Sequence, residues 1–495
     1  MQRSTYLDCL FSVGSLFLLI LFTGKFFYLK EFPLPLSYDE SYYWDWSRHL
    51  DWGYFSKPPM VAWLIFLSTK VFGINEFAVR LPALLSLTGV QVLLYVLTFR
   101  YFGEYLARAH LFVISFVPIF FVYSFIMTID PPLLLFWTLS IFFLVEYLKN
   151  QTLLSAFLTG FSMGLAILTK QTALVLPFLT FVYFMLFEKK LLSLKKTYLL
   201  LLLPFLLYLP NFYWNLKHGF VLFIHTAEHF EKKGLSTRYY LKFFVGLLFL
   251  FGPIFLPFFY YYGFRYWKKF LFFLKHGFDE KIEADKVFQL KILNLFYLFS
   301  FIPLLCLLIL SFLKPLNHNW IMPFFISSYF FGIYFLLQKG ITRFFYLLNL
   351  LITLGLCLFM LALPKKPDLL GKNSALLFYK FYGWKELSQS VEKHYKKGIN
   401  PLASHREIAS SLAFYMKAHP EVFVVNLEKR PENQYHLWRK DDELIGKEVL
   451  YVQKGIFEPK VLLNPKRLEE LRLNFYGLEK SFSVWKGIYV KGEKR

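Results

Sequence analysis

Charge is scarce in this chain of 495 residues. Only 18% of it is Asp, Glu, Lys or Arg, and acidic residues number 33 against 55 basic ones. Soluble domains carry about 25% charged residues, so a soluble globular enzyme is excluded. Cysteine is nearly missing: Cys9, Cys306 and Cys357 all fall inside apolar runs, which excludes a disulfide-stapled secreted fold and says nothing about redox compartment. Alternating ten-residue strands, the mark of an outer-membrane barrel, are lacking where the chain is most apolar. There is no internal repeat, no P-loop, no Rossmann fingerprint and no nucleotide-sugar aspartate pair. What is there is apolar surface. Hydrophobic residues make up 57% of the chain and aromatics 22%, with 63 Phe and a mean hydropathy of +0.45. That excludes disorder and leaves a polytopic α-helical membrane protein.

A net charge of +22 invites a nucleic-acid reading. Its distribution argues otherwise. Residues 1–363 hold 30 basic and 17 acidic residues, and 364–495 hold 25 and 16. The basic residues of the first part sit in short gaps between apolar runs, as topology requires, and no nucleic-acid motif accompanies them. Eleven spans are expected, near 6–29, 79–99, 109–126, 131–148, 151–168, 172–187, 197–214, 240–262, 287–313, 320–337 and 341–363. No small-residue cleavage site follows the first, so it reads as an anchor. Basic residues such as Arg100, Arg108, Lys149, Lys189, Lys190, Lys195 and Lys196 mark inner gaps, which puts the N-terminus inside and the long gaps 30–78 and 215–239 outside. An odd span count then puts the tail outside. The expected organisation is a membrane domain, 1–363, whose first outer loop (30–78) carries acidic residues, and a small mixed α/β domain, 364–495, with helices near 383–397 and 404–418.

Ionisable groups at a membrane edge are costly, so each is a candidate for function. The densest set is Ser37-Tyr38-Asp39-Glu40-Ser41-Tyr42-Tyr43-Trp44-Asp45-Trp46, then Gly53-Tyr54-Phe55-Ser56-Lys57-Pro58-Pro59. Adjacent carboxylates among aromatics suit a base beside a sugar platform built from Tyr42, Tyr43 and Tyr54. They equally suit a solvated interfacial loop with an aromatic belt. Asp130, ahead of Pro131-Pro132, is a helix N-cap or a second acidic group. Lys170, at the outer end of a span, either snorkels to headgroups or binds phosphate. His225-Thr226-Ala227-Glu228-His229 matches H-x-x-E-H, a zinc-protease pattern, but five residues are weak evidence. His318 and Asn319, at the mouth of another span, can supply hydrogen bonds.

These motifs resemble the polyprenyl-phosphate-sugar-dependent glycosyltransferases of the GT-C fold. The resemblance is to the bacterial branch of protein-mannosyltransferase-like proteins and lipid A aminoarabinose and galacturonic acid transferases. It rests on Tyr38–Trp44, on Gly53–Pro59 through Val79-Arg80-Leu81-Pro82, and on Thr128-Ile129-Asp130-Pro131-Pro132. It also rests on Gly164–Lys170, Pro210–Asn215, Asn319–Pro323 and, in the tail, Tyr382–Leu387, Ala413-Phe414-Tyr415 and Asn433–Trp438.

The resemblance implies an inverting transfer of sugar from an undecaprenyl-phosphate-type donor to lipid A or lipopolysaccharide core on the periplasmic face of a bacterial inner membrane, the sugar being a hexuronic acid or an amino sugar. Asp39 then corresponds to the family's base, Glu40 joins it or supports the loop, and Asp130 is a second acidic group. Lys57, where many relatives carry His, and Lys170 would meet the donor phosphate. Tyr42, Tyr43, Tyr54, His225, His229, His318 and Asn319 are candidates for donor or acceptor contact. A divalent metal is left open, because no strong ligand motif demands one. Expected partners are the lipid-linked donor, the lipid A or protein acceptor, and membrane lipids, with no nucleic acid. The alternatives are a protein O-glycosyltransferase of the same class and a lipid-linked sugar transporter.

Overall fold

The computed structural model describes residues 9, 12–228, 234–278, 282–337, 340–396, 398–428 and 430–491. It falls into two units. One comprises the described residues of Met1–Glu31, Arg80–Lys217 and Ala227–Met360, and the other those of Phe32–Val79, His218–Thr226 and Leu361–Arg495.

The first unit is helical, as its Leu- and Phe-rich runs require. Each expected span falls on one or more helices. Among the described residues, however, six helices are long and apolar enough to cross a membrane, or seven with one bent pair counted as a span. The count of eleven is therefore not confirmed. Two differences have local causes. The expected span 240–262 breaks into Thr237–Phe251 and Phe255–His276, bent by 105°. Gly252 takes φ +106 at the break, Pro253 can offer no backbone donor, and the Phe255 N–H donates to Asn349 Oδ1 at 3.0 Å. The expected span 109–126 likewise divides into Glu104–Ser115 and Pro118–Tyr123, with proline opening the second piece.

Helix Leu153–Thr169 packs on both Asp130–Asn150 and Lys195–Lys217. Gly160 and Gly164 make the second approach possible: a methyl group added at Gly160 would stand 2.8 Å from the Leu200 carbonyl oxygen, and at Gly164 2.5 Å from Leu207 Cδ1. Two basic residues assigned to inner gaps are paired: Arg100 meets Glu146 at 2.6 Å and Lys149 meets Asp285 at 3.0 Å. Lys291, inside the expected span 287–313, meets Glu188 at 2.5 Å.

The second unit is built on a five-stranded sheet. Its strands are β1 (Asn400–Ala403), β2 (Phe423–Val424), β3 (Glu448–Lys454), β4 (Leu462–Phe475) and β5 (Leu478–Tyr489), in the order β2-β1-β3-β5-β4. The β1 pairings are parallel and those of β5 antiparallel. Tyr476 and Gly477, both at positive φ, make the two-residue turn between β4 and β5. Leu402, Val449, Tyr451, Trp485 and Tyr489 form part of the sheet's core. Helices Trp384–Glu392 and Arg406–Tyr415 match the two expected in the tail. The acidic loop also belongs to this unit: its segment Tyr38–Ser47 is a helix, packed on Arg406–Tyr415.

Candidate functional site

The loop helix starts where its sequence dictates. Ser37 is the N-cap, and Glu40 stands three residues on. The Glu40 N–H donates to Ser37 Oγ at 3.3 Å, and Glu40 Oε2 accepts from the Ser37 N–H at 2.9 Å. This reciprocal capping box satisfies two otherwise unpaired donors at the helix start. Glu40 is buried, and its carboxylate shapes the loop.

The preceding residue, Asp39, is turned outward and meets Arg406. Nη1 and Nη2 of Arg406 both donate to Asp39 Oδ1 at 3.2 Å. Among the described residues Oδ2 has no hydrogen-bond partner, and the side chain is 35% exposed. The guanidinium carbon lies 5.6 Å from the Tyr38 ring centre and 5.0 Å from that of Tyr42. Burial opposes the charge on Arg406, but Asp39, Tyr42 and Tyr43 outweigh it and raise the guanidinium pKa above its usual value. The result is a carboxylate held by one oxygen, with the other open to a proton donor.

The aromatic side chains of this loop are largely core. Tyr54 is fully buried, stacks on Trp46 with ring centres 4.6 Å apart, and donates its hydroxyl hydrogen bonds to the Trp46 and His49 carbonyls at 3.1 and 3.0 Å. The buried Tyr42 hydroxyl accepts from the Gln434 N–H at 2.6 Å, and burial raises its pKa. Tyr43 is buried against Trp46, at 5.0 Å between ring centres. Asp45 is buried too. Tyr435 donates its hydroxyl hydrogen bond to Asp45 Oδ2 at 2.8 Å, and Arg48 lies 3.3 Å from Oδ1. Burial raises the Asp45 pKa, with Arg48 and Tyr435 pulling against it. Glu76 accepts from the Tyr415 hydroxyl at 2.7 Å and lies 2.9 Å from Lys385 Nζ.

Lys57 occupies a turn ahead of Pro58 and Pro59, closed by the Tyr54 N–H donating to the Lys57 carbonyl at 3.0 Å. The Phe55 N–H donates to Gln434 Oε1 at 2.7 Å, and the His225 ring lies 5.4 Å from that of Phe55. His229 lies outside the described residues, so the H-x-x-E-H segment is described only through Glu228. Among the described residues no group of three or more His, Cys, Asp and Glu side chains is placed to hold a metal ion.

In the helical unit three separately expected residues converge. Asp130 opens helix Asp130–Asn150, but its carboxylate does not cap the helix. Oδ1 lies 2.9 Å from Lys170 Nζ, and Oδ2 accepts from Asn319 Nδ2 at 3.1 Å. Lys170 sits in extended backbone between helix Leu153–Thr169 and the turn Gln171–Leu174, and its ammonium meets Asp130. The Asp130 and Lys170 side chains are only 3% and 10% exposed. His318 is not part of this cluster. Its Nε2 lies 3.0 Å from the Phe243 carbonyl oxygen and its ring stacks on Phe243.

The residues that sequence reasoning missed are Arg406, Tyr435 and Gln434. The tail segment Asn433–Trp438 carried a signal, whereas Arg406 is one of 55 basic residues with no distinguishing spacing.

This fold has solved counterparts, and the resemblance to GT-C glycosyltransferases holds. A family model described as dolichyl-phosphate-mannose-protein mannosyltransferase matches residues 56–214. ArnT from Cupriavidus metallidurans superposes with a TM-score of 0.59 in its apo state, covering 96% of this chain and 98% of that one at 14% identity. Its undecaprenyl-phosphate-bound form gives 0.60, at 95% and 97% coverage and 14% identity. In sequence, the chain is 28% identical over 219 residues to the lipid A galacturonosyltransferase RgtD of Rhizobium johnstonii, covering 44% of this chain and 46% of that protein. It is 31% identical over 190 residues to an uncharacterized protein of Aquifex aeolicus, covering 38% of each. The alignments thus span less than half the length of either curated relative.

Proposed function

We propose that this chain is an inner-membrane glycosyltransferase that moves a sugar from a polyprenyl-phosphate donor to lipid A or lipopolysaccharide core on the periplasmic face, with inversion. The observation that carries the reading is Asp39, fixed through Oδ1 by Arg406 with Oδ2 open. A hexuronic acid is the favoured sugar, in keeping with the galacturonosyltransferase among the relatives and with the basic excess.

In this reading the acceptor hydroxyl attacks the anomeric carbon. The new C–O bond forms as the bond to the polyprenyl phosphate oxygen breaks, and Asp39 Oδ2 takes the hydroxyl proton. Arg406 is a positioning residue: its two N–H groups fix the carboxylate's orientation. The resemblance assigns Lys57 and Lys170 to the charge that develops on the leaving phosphate. Lys170 has three donors, so it can keep its bond to Asp130 while donating another. Asp130 and Asn319 hold it in place. Residues 364–495 and the loop 30–78 would lie in the periplasm, with the N-terminus in the cytoplasm.

The test is transfer by the purified full chain from radiolabelled polyprenyl-phosphate galacturonate or aminoarabinose to lipid A, with a peptide acceptor in parallel because the matching family model is described by protein acceptors. Asp39→Asn should lower transfer by at least about a hundredfold. Wild-type rates in Asp39→Asn would refute its role. Movement of the donor between leaflets without transfer would replace the enzyme with a transporter.

A further inference from the structure

Away from the Asp39–Arg406 pair, the sheet unit contains a cavity of about 340 Å³ whose wall no step above uses. Tyr38, Tyr379 and Trp384 line it, together with Glu407, Lys454 at the end of β3 and Lys480 on β5. Its volume is at the lower end of ligand pockets, about 300–1,000 Å³, with room for one or two sugar rings but not a lipid chain.

The unusual group is Lys480. It is 7% exposed, yet among the described residues no carboxylate lies within ion-pair distance of its ammonium. Its hydrogen bonds go to the carbonyl oxygens of Tyr379 and Tyr382, at 2.5 and 2.7 Å. The Tyr379 and Trp384 ring centres lie 4.2 and 4.5 Å from Nζ. Two carbonyls leave one of its three donors for another acceptor. Buried cations ordinarily have an anionic partner, because desolvation is costly without one. Glu407 cannot fully serve, since it pairs with Lys454. Burial, and then Lys454, lower the Lys480 pKa to about 8. The wall as a whole offers three ammonium groups against two carboxylates. Aromatic rings in its lining suit the C–H faces of a sugar, and Tyr38 stands edge-on to Trp384 with ring centres 6.0 Å apart.

We propose that this cavity binds an anionic sugar unit, a hexose bearing a phosphate or carboxylate, with Lys480 and Lys454 on the anion and Trp384 and Tyr38 against the ring. It rests on the transfer reading only for the source of that sugar, a phosphorylated glycolipid acceptor. The binding itself requires no turnover. The site also adjoins the base by covalent connection: Tyr38 precedes Asp39, and Arg406 precedes Glu407.

The experiment titrates the purified full chain in detergent by calorimetry with glucosamine 1-phosphate, galacturonate, uncharged N-acetylglucosamine and inorganic phosphate. Both charged sugars should bind at least about tenfold more tightly than the uncharged sugar and than inorganic phosphate, the gain of one charge-assisted hydrogen bond. Lys480→Met should weaken glucosamine 1-phosphate by at least about tenfold. Because Lys480 is buried, Lys454→Gln on the exposed rim is the second variant and should weaken it severalfold with folding intact. Displacement by lipid A in mixed micelles assigns the sugar to a lipid, and binding without displacement assigns it to a soluble molecule. The proposal is overturned if no charged sugar binds, if inorganic phosphate binds as tightly, or if both variants bind like the wild type. A chain that binds these sugars but transfers nothing would sink the transfer reading and leave this site standing.

Discussion

Replacing Asp130 with Asn gives the sharpest test of the pair inside the helical unit. The substitution keeps shape and leaves an oxygen for Asn319, but it strips the counter-charge from Lys170. At 2.9 Å the pair's attraction is about 6 kcal/mol with an effective dielectric constant near 20. Part of that offsets the desolvation of both ions. With side chains only 3% and 10% exposed, solvent cannot take over for the lost partner. The expected loss is about 3–5 kcal/mol, which for a unit of this size lowers the unfolding temperature by about 5–10 °C. Lys170→Met alone should destabilise as well, by leaving the carboxylate unpaired. Asp130→Asn combined with Lys170→Met removes the orphaned charge and should recover most of the loss. Thermal unfolding of wild type, both single variants and the double variant in one detergent, followed by tryptophan fluorescence, measures the coupling. Unfolding of Asp130→Asn within a degree or so of wild type, or no recovery in the double variant, would refute the coupling of the pair. Transfer assayed on the same four proteins separates the roles: recovered stability with no recovered activity gives the pair a part in the chemistry.

Other outcomes follow from single contacts. Gly160→Ala should destabilise by about 1–3 kcal/mol in the same unfolding assay, because the added methyl meets the Leu200 carbonyl rather than a movable side chain. Tyr435→Phe should cost about 1–3 kcal/mol by leaving buried Asp45 Oδ2 short of a donor, and Tyr435→Phe with Asp45→Asn should cost less than the sum of the two single changes. Arg406→Gln should lower kcat more than it raises KM, since it frees the proposed base Asp39 without removing it; an unchanged kcat would end the proposed positioning role. The Lys480 pKa is lowered in the folded chain, so its charged form opposes folding. Stability should therefore rise with pH above about 8, by about 2 kcal/mol between pH 7.5 and 9.5 relative to Lys480→Met. Glu407 and Glu386 work against this depression and Lys454 adds to it, which makes the paired variant the necessary control.

The helical unit was largely legible because long apolar runs admit one backbone solution in lipid. What the runs conceal is interruption. Gly252-Pro253 sits inside a stretch whose mean apolarity hardly changes, yet it turns the chain by 105°. Asp130, Lys170 and Asn319 were each legible as candidates, since charge and amide groups stand out against Leu and Phe. Their convergence was not, because the residues lie 40 and 189 positions apart. In the loop, the Ser37 and Glu40 spacing went unread as a helix start, and carboxylates next to aromatics read as surface chemistry. Tyr42, Tyr43 and Tyr54 instead serve as core, their burial fixed by a tail whose register no local pattern could supply.

The assignment of 32–79 and 361–495 to one unit bears on how this chain could be recombined with its relatives. A chimera that exchanges the tail alone would separate Asp39 from Arg406, Asp45 from Tyr435, Tyr42 from Gln434 and Glu76 from Tyr415. The heritable cassette is thus discontinuous, and homologous tails should be interchangeable only when the loop is transplanted with them.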